Sequence, residues 1–237
     1  MSVAPGDASK FSPVQTVEGE TLDRDAIKRL ASSGTTMRLV DCDLEDTDLS
    51  RMDFSGWIFE ACNVKKAIFT GSLLEDTSWI RCKGGMADFR ACSLSETRFE
   101  GSDFNNSSFQ GATLTDATFT RCKLTGANLS ESKTLNLTMD RTLLMQATLP
   151  RVSFRKMRLT EMSFDMADLR KCDFRETVFQ DCSLRDANLA ECRFDDADLR
   201  GADLGGIRLL NAKQFKGATI SRDQAGQLLA ELGLKVR

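Results

Sequence analysis

The sequence predicts a repeat solenoid, and three observations predict it. From Leu39 to Leu209, 30 of the 35 residues met at every fifth position are Leu or Phe. The departures are Val64, Trp79, Gly84, Thr134 and Met139. The residue two before each of these centres is Ala, Cys, Ser or Thr at 27 of the 35 positions. Finally, 13 of the 15 phenylalanines and all eight cysteines fall in this register, leaving only Phe11 and Phe215 outside it. Neither helical nor strand periodicity yields a strict period of five.

The pattern is cleanest in Ala187-Asn188-Leu189, Cys192-Arg193-Phe194, Ala197-Asp198-Leu199 and Ala202-Asp203-Leu204. It resembles the A(D/N)LxX motif of pentapeptide-repeat proteins, over about 170 residues. That resemblance implies an all-β solenoid, a right-handed quadrilateral parallel β-helix with twenty residues per coil and about nine coils. The large centre and its small partner point inward, and the other three residues face water. One coil cannot bury its own apolar side, so stacking coils makes the core. At a strand spacing of about 4.8 Å the rod is about 40 Å long. Sorted by twenty, one inward column reads Leu39, Phe59, Trp79, Phe99, Phe119, Met139, Leu159, Phe179 and Leu199. Pro150 directly follows a centre, a turn position that suits its fixed φ.

The ends depart from the repeat. Residues 1–16 lack periodicity and are expected to be a flexible N-terminus. Residues 17–36 are expected to form a helical cap, with a helix over about 21–33 whose Ala26, Ile27, Leu30 and Ala31 share a face and Gly34 as its stop. Such a cap covers the solenoid edge against edge-to-edge pairing. The β-helix is assigned to 37–212. The register slips after Leu209, and 213–237 are expected to hold a second helix. Ser221 with Gln224 gives a capping-box pattern, and Gly233 suits the C′ position. Ala225, Leu228, Leu229, Leu232 and Leu234 supply an apolar face for capping or dimerisation.

Composition excludes several chemistries. The chain has no His and no Tyr, which removes imidazole-activated nucleophiles and imidazole metal sites. The eight cysteines all occupy the small inward position. Cys42, Cys62 and Cys82 stack in a line about 4.8 Å apart, not in the tetrahedron that zinc needs. Buried Cys behaves as a small apolar residue, so no metal and no cofactor is expected. No Gly-rich phosphate loop or convergent acid–base pair is visible, and no catalytic residue is assigned. No run approaches the roughly 18 apolar residues of a membrane span, and the N-terminus lacks the regions of a secretory signal. A cytoplasmic protein is expected.

Function is therefore sought on outward positions. Residues 37–120 carry 14 acidic and 8 basic side chains, 121–170 carry 5 and 9, and 171–212 carry 9 and 6. One corner stacks Glu75-Asp76, Ser95-Glu96, Thr115-Asp116, Leu135-Asn136, Arg155-Lys156, Arg175-Glu176 and Asp195-Asp196 at one-coil intervals. Its carboxylates Glu75, Asp76, Glu96, Asp116, Glu176, Asp195 and Asp196 form a candidate partner-binding ladder that would suit a basic groove. The central coils replace small residues with Leu137, Val152, Met157 and Met162, and a basic belt of Arg151, Arg155, Lys156 and Arg158 surrounds them. No aromatic residue interleaves the belt to stack bases, so direct nucleic-acid binding is not expected.

A narrower resemblance bears on the partner. The tail from Asp223 through Val236 is similar to the C-terminus of Qnr-like quinolone-resistance proteins, and Arg81 through Arg90 resembles an internal stretch of that group. The resemblance implies a homodimer through the C-terminal helix and a DNA mimic that binds DNA gyrase. This chain lacks the loop insertions of the Qnr pattern, as do relatives of the mycobacterial type. The alternative is a general protein-interaction or scaffold solenoid with no topoisomerase link.

Overall fold

The computed structural model describes residues 14–207, 212–231 and 233–235. Strands β1 (Val14–Glu18), β2 (Thr36–Val40), β3 (Ile58–Glu60), β4 (Ser78–Ile80), β5 (Arg98–Glu100), β6 (Thr118–Thr120) and β7 (Thr138–Asp140) stack in chain order as one parallel sheet. Further along the rod, β8 (Arg158–Thr160) pairs with β9 (Val178–Gln180). From β2 onward the register advances by twenty residues per coil, as in Leu39↔Phe59 and Phe59↔Trp79. The result is a parallel β-solenoid of about ten turns with two short helices, a right-handed quadrilateral β-helix.

Outside the column of β2–β9, most pentapeptides close with the same turn. The amide three residues after the start closes it, as Trp57 N–H does on Phe54 O at 2.9 Å and Ala67 on Val64 at 3.1 Å. The residue two after each centre has positive φ from Asp41 to Asp196, 27 times as a non-glycine and five times as Gly. Positive φ at the third residue is the signature of a type II turn. It costs an ordinary residue about 1–2 kcal/mol. In return it aims the amide along the rod: Asp46 N–H reaches Lys65 O at 2.9 Å, and Lys66 N–H reaches Gly85 O at 3.0 Å.

The interior is one continuous core running from Leu22 to Leu228. Aromatic rings stack from coil to coil, with centroids 4.0 Å apart for Phe59–Trp79 and 4.5 Å for Phe99–Phe119. Stacking resumes at Phe154–Phe174, 5.1 Å, and Phe174–Phe194, 4.9 Å. Gly84-Gly85 leaves the coil unbroken: Gly84 N–H bonds Asp103 O at 2.7 Å and Met86 N–H bonds Asn105 O at 2.8 Å. Gly84 takes a centre position because the Phe104 ring fills its space; a Cβ there would sit 2.1 Å from Phe104 Cε1.

Both ends extend the rod beyond the periodic stretch. The sequence places 14–16 in an aperiodic leader, yet Val14–Glu18 is a strand on β2, offset by 22 residues. Its side chains are mostly exposed, with only Val17 packed against the core, so backbone pairing holds most of it and no apolar rhythm marks it. Residues 1–13 lie outside the described residues. Helix α1 (Arg24–Ala31) then buries Ile27 over the first coil, with the Asp23 carboxylate accepting Ala26 N–H at 2.8 Å as N-cap. At the other end Phe215 stacks on Phe194 at 4.9 Å, 21 residues on, and Leu199 N–H bonds Thr219 O at 2.9 Å. The slip after Leu209 is thus a one-residue insertion, and stacking continues past 212. Leu209 itself lies outside the described residues.

Candidate protein-interaction surfaces

The four corners of the rod carry its charge, and the backbone fixes their spacing. On the corner that holds the predicted ladder, Asp76 N–H bonds Ser95 O, Glu96 N–H bonds Thr115 O and Asp116 N–H bonds Leu135 O, each at 2.9 Å. Corner residues therefore stack one coil apart, about 4.8 Å. Unscreened by protein, two carboxylates at about 5 Å repel by about 0.8 kcal/mol in water. The surroundings relieve part of this. Arg98 Nη1 lies 3.1 Å from Asp76 Oδ1, the Ser93 hydroxyl donates to Glu75 at 2.7 Å, and the Asn136 amide donates to Asp116 at 2.9 Å. Glu96 has no ion-pair partner among the described residues.

This brings Glu75, Asp76, Glu96 and Asp116 together as one run over three coils. Glu176, Asp195 and Asp196 lie on the same corner but beyond Leu135-Asn136 and Arg155-Lys156. Arg155 Nη2 donates to Glu176 Oε1 at 2.9 Å and Lys156 Nζ lies 3.6 Å from its other oxygen. The Arg155 hydrogen bond holds the Glu176 carboxyl below its ordinary range. Asp195 faces Arg193 at 3.5 Å. The basic belt and the acidic corner are therefore one column at Arg155 and Lys156. Arg158 projects from the neighbouring face toward Gln180, 3.5 Å away. Arg151 sits on the preceding corner, against Glu131, Lys171 and Pro150.

Charge counting misses a recurring clamp. Asp88–Arg90, Asp168–Arg170, Asp173–Arg175 and Asp198–Arg200 each join guanidinium to carboxylate, at 2.6, 2.7, 2.5 and 2.6 Å. The Asp precedes a centre and the Arg follows it, so the turn sets them side by side. Each Asp also accepts its Arg's backbone N–H, at 3.0–3.2 Å. The Arg hydrogen bond is the chief cause holding Asp168, Asp173 and Asp198 below the usual carboxylate range. These neutral pairs are visible in the sequence as Asp-centre-Arg, and they reduce the field that the net counts suggest.

All eight cysteines are buried and unpaired. Seven thiols donate to carbonyls of the preceding coil, as Cys92 does to Phe69 O at 2.9 Å and Cys172 to Leu149 O at 3.2 Å, and Cys122 donates to Thr120 O at 3.4 Å. Burial pushes Cys92 and Cys192 up to about 12 and Cys122 up to about 11. Thiolate is the reactive form, so these three act as small core residues; Cys62, lowered by its hydrogen bond with Cys82, is fully buried as well. Among the described residues no cluster of three His, Cys, Asp or Glu side chains could hold a metal ion. No helix there is long and apolar enough to cross a membrane.

Helix α2 (Arg222–Glu231) begins in the predicted capping box. Gln224 N–H bonds Ser221 Oγ at 3.1 Å while Gln224 Oε1 accepts Ser221 N–H at 2.7 Å. It ends at Gly233, φ +80°, where Leu234 N–H reaches Leu229 O at 3.0 Å and Gly233 N–H reaches Ala230 O at 2.8 Å, a Schellman closure. One face docks on the helix's own rod. Leu228 is buried, and Gln224 Nε2 donates to both Leu199 O and Ala202 O at 2.7 Å. Ala225 is half-buried, and Leu229 and Leu234 are exposed. Leu232 lies outside the described residues. The five residues predicted as one face are thus divided between the rod and the surface.

A family model described as pentapeptide repeat region matches residues 72–149, and one described as pentapeptide repeats matches 38–76 and 167–206. The chain belongs to the pentapeptide-repeat family. Among solved pentapeptide-repeat structures, a trypsin-treated form of QnrB1, a plasmid-mediated fluoroquinolone resistance protein, is similar in fold. It has TM-score 0.61 at 18% identity, covering 94% of this chain and 98% of QnrB1. HetL, a pentapeptide repeat protein involved in heterocyst differentiation regulation from the cyanobacterium Nostoc sp. strain PCC 7120, aligns at TM-score 0.53 and 25% identity. It covers 86% of this chain and 85% of its own. Full-length QnrB1 aligns at TM-score 0.51 and 19% identity, covering 94% and 100%. A comparison with curated proteins finds no match.

Proposed function

We propose that this pentapeptide-repeat rod works without catalysis, by presenting stacked side chains to a protein partner, and that the partner is a type II topoisomerase such as DNA gyrase. The observation that carries this reading is the run Glu75, Asp76, Glu96 and Asp116, held at one-coil spacing on a rigid corner. Regular carboxylates about 4.8 Å apart resemble a phosphate strand and suit a basic groove. The likeness of the tail to Qnr-like proteins favours the same partner. Exposed Leu229 and Leu234 on α2 favour pairing of two rods. Fold alone does not set function, so the reading stands on the corner.

A scaffold with no topoisomerase link is the second reading. The neutral and basic coils at Leu135-Asn136 and Arg155-Lys156 favour it, because they limit the acidic run to three coils. A supercoiling assay separates the two. Micromolar protein is expected to alter gyrase supercoiling, and Glu75→Lys/Asp76→Lys/Glu96→Lys/Asp116→Lys is expected to abolish the effect. Supercoiling unchanged by the wild-type chain would favour the scaffold.

A further inference from the structure

The same backbone bonds stitch most of the described coils together; single bonds are missing in places, as from Ser163 N–H to Thr142 O, and the longest interruption lies on one face. On the face centred on Leu74, Leu94 and Leu114, Leu94 N–H bonds Thr113 O at 2.7 Å and Leu114 N–H bonds Lys133 O at 2.7 Å. Two coils later the pattern is intact again, with Phe154 N–H on Asp173 O at 2.8 Å and Lys156 N–H on Arg175 O at 2.9 Å. Between 131–138 and 150–158 it fails. Glu131, Thr134 and Asn136 N–H do not reach Pro150, Ser153 and Arg155 O, nor do Ser153 and Arg158 N–H reach Ser132 and Leu137 O. The bridge expected between Lys133 and Ser153 is missing, although Thr113↔Lys133 and Ser153↔Asp173 are both made. The long sheet ends at β7 for the same reason.

The opening is one-sided. Between the same two coils the opposite faces remain closed, with Leu124 N–H on Leu143 O at 2.8 Å and Leu129 N–H on Thr148 O at 2.7 Å. Side-chain volume explains it. Thr134 stands where a Leu or Phe would fill the centre, while Leu137, Val152 and Met157 occupy positions built for Ala or Ser. Overfilled positions force backbone shifts, and here the backbone bonds along one face are lost while Leu137, Val152 and Phe154 stay buried beneath. The slit has unpaired backbone donors and acceptors on both lips, as at a sheet edge. A groove of about 540 Å³ lies at one end of it between Ser132, Pro150 and Arg151, with Glu131 and Glu191 also on its wall. The two segments that border the slit carry Lys133, Arg151, Arg155, Lys156 and Arg158 against a single acid, Glu131, and Leu135 is 67% exposed there. Lys133 and Arg151 have no ion-pair partner among the described residues.

We propose that this slit docks an extended acidic peptide segment of a partner protein. The segment's carbonyl and carboxylate oxygens take the free N–H groups, as in strand addition, and its charge is met by these basic side chains. A nucleic acid fits less well. Glu131, Asp173 and Glu176 interrupt the basic surface against a continuous phosphate chain, and no aromatic ring is among the large exposed hydrophobics. The inference is independent of the topoisomerase reading, which uses the acidic coils before Leu135.

The test uses the full chain and a labelled peptide of about a dozen alternating Glu and Thr residues, with its Lys-Thr counterpart as control. By fluorescence anisotropy at about 50 mM salt, the acidic peptide is expected to bind and the basic one not to. Arg151→Glu/Arg155→Glu is expected to weaken binding at least about tenfold. The milder Arg151→Ala/Arg155→Ala serves if the reversal unfolds. Hydrogen exchange of the Thr134, Asn136 and Ser153 amides is expected to outpace that of Leu114, Asp116 and Phe174, and to slow with peptide. No binding up to about 1 mM, equal binding by both variants, or tighter binding of a single-stranded oligonucleotide overturns the proposal.

Discussion

Gly84 stands where the register calls for Leu or Phe, and the ring of Phe104 one coil on occupies the missing volume. Cores tolerate such exchanges when total volume is kept. Gly84→Ala is therefore expected to lower unfolding free energy by about 1–3 kcal/mol in urea melts, since the new Cβ meets a ring and not a flexible end. Phe104→Leu is expected to recover much of that loss in the double variant, because the two sites share one space. Strictly additive effects would contradict the shared-volume account. The same scale explains the turn residues. Arg, Lys, Glu and even Met86 adopt positive φ without glycine, because an inter-coil hydrogen bond offsets the local cost at most steps, Glu131 and Asn136 being exceptions. Those bonds join residues about twenty apart, so single-residue preference does not reveal the turn.

Among the elements, α2 has two distinct faces. Gln224 and Leu228 fasten it to the rod, while Leu229 faces outward. Leu228→Asp is expected to lower the melting temperature by unseating the helix. Leu229→Asp is expected to leave melting unchanged and to convert a dimer into monomers in sedimentation. A wild-type chain that sediments as a monomer would contradict pairing through α2. The helix was legible because a capping box and a C′ glycine are local signals. The register was legible because Leu, Phe and Cys recur every five residues. Strand β1 was not, since it joins the sheet through backbone bonds with its side chains mostly in water. Phe215 was hidden by a one-residue insertion, which breaks the count but not the ring stack.

At the scale of the whole molecule the rod falls into an acidic stretch, a basic interrupted coil and a second acidic stretch. The sequence conveys this order through charge counts. It does not convey that Arg155 and Lys156 neutralise Glu176, and net counts pass over the Asp-centre-Arg clamps that cancel four further carboxylates. Nor does it show the slit, which follows from the summed volumes of Thr134, Leu137, Val152 and Met157 over two coils. Acidic-corner recognition is an electrostatic effect between exposed groups, so binding through it weakens as salt rises.

Calorimetric titration of the full chain into purified gyrase at low salt tests the partner assignment most directly. The account predicts saturable binding that Glu75→Lys/Asp76→Lys/Glu96→Lys/Asp116→Lys removes and Arg151→Glu/Arg155→Glu preserves. No heat of binding, or binding indifferent to the four acidic reversals, would contradict it.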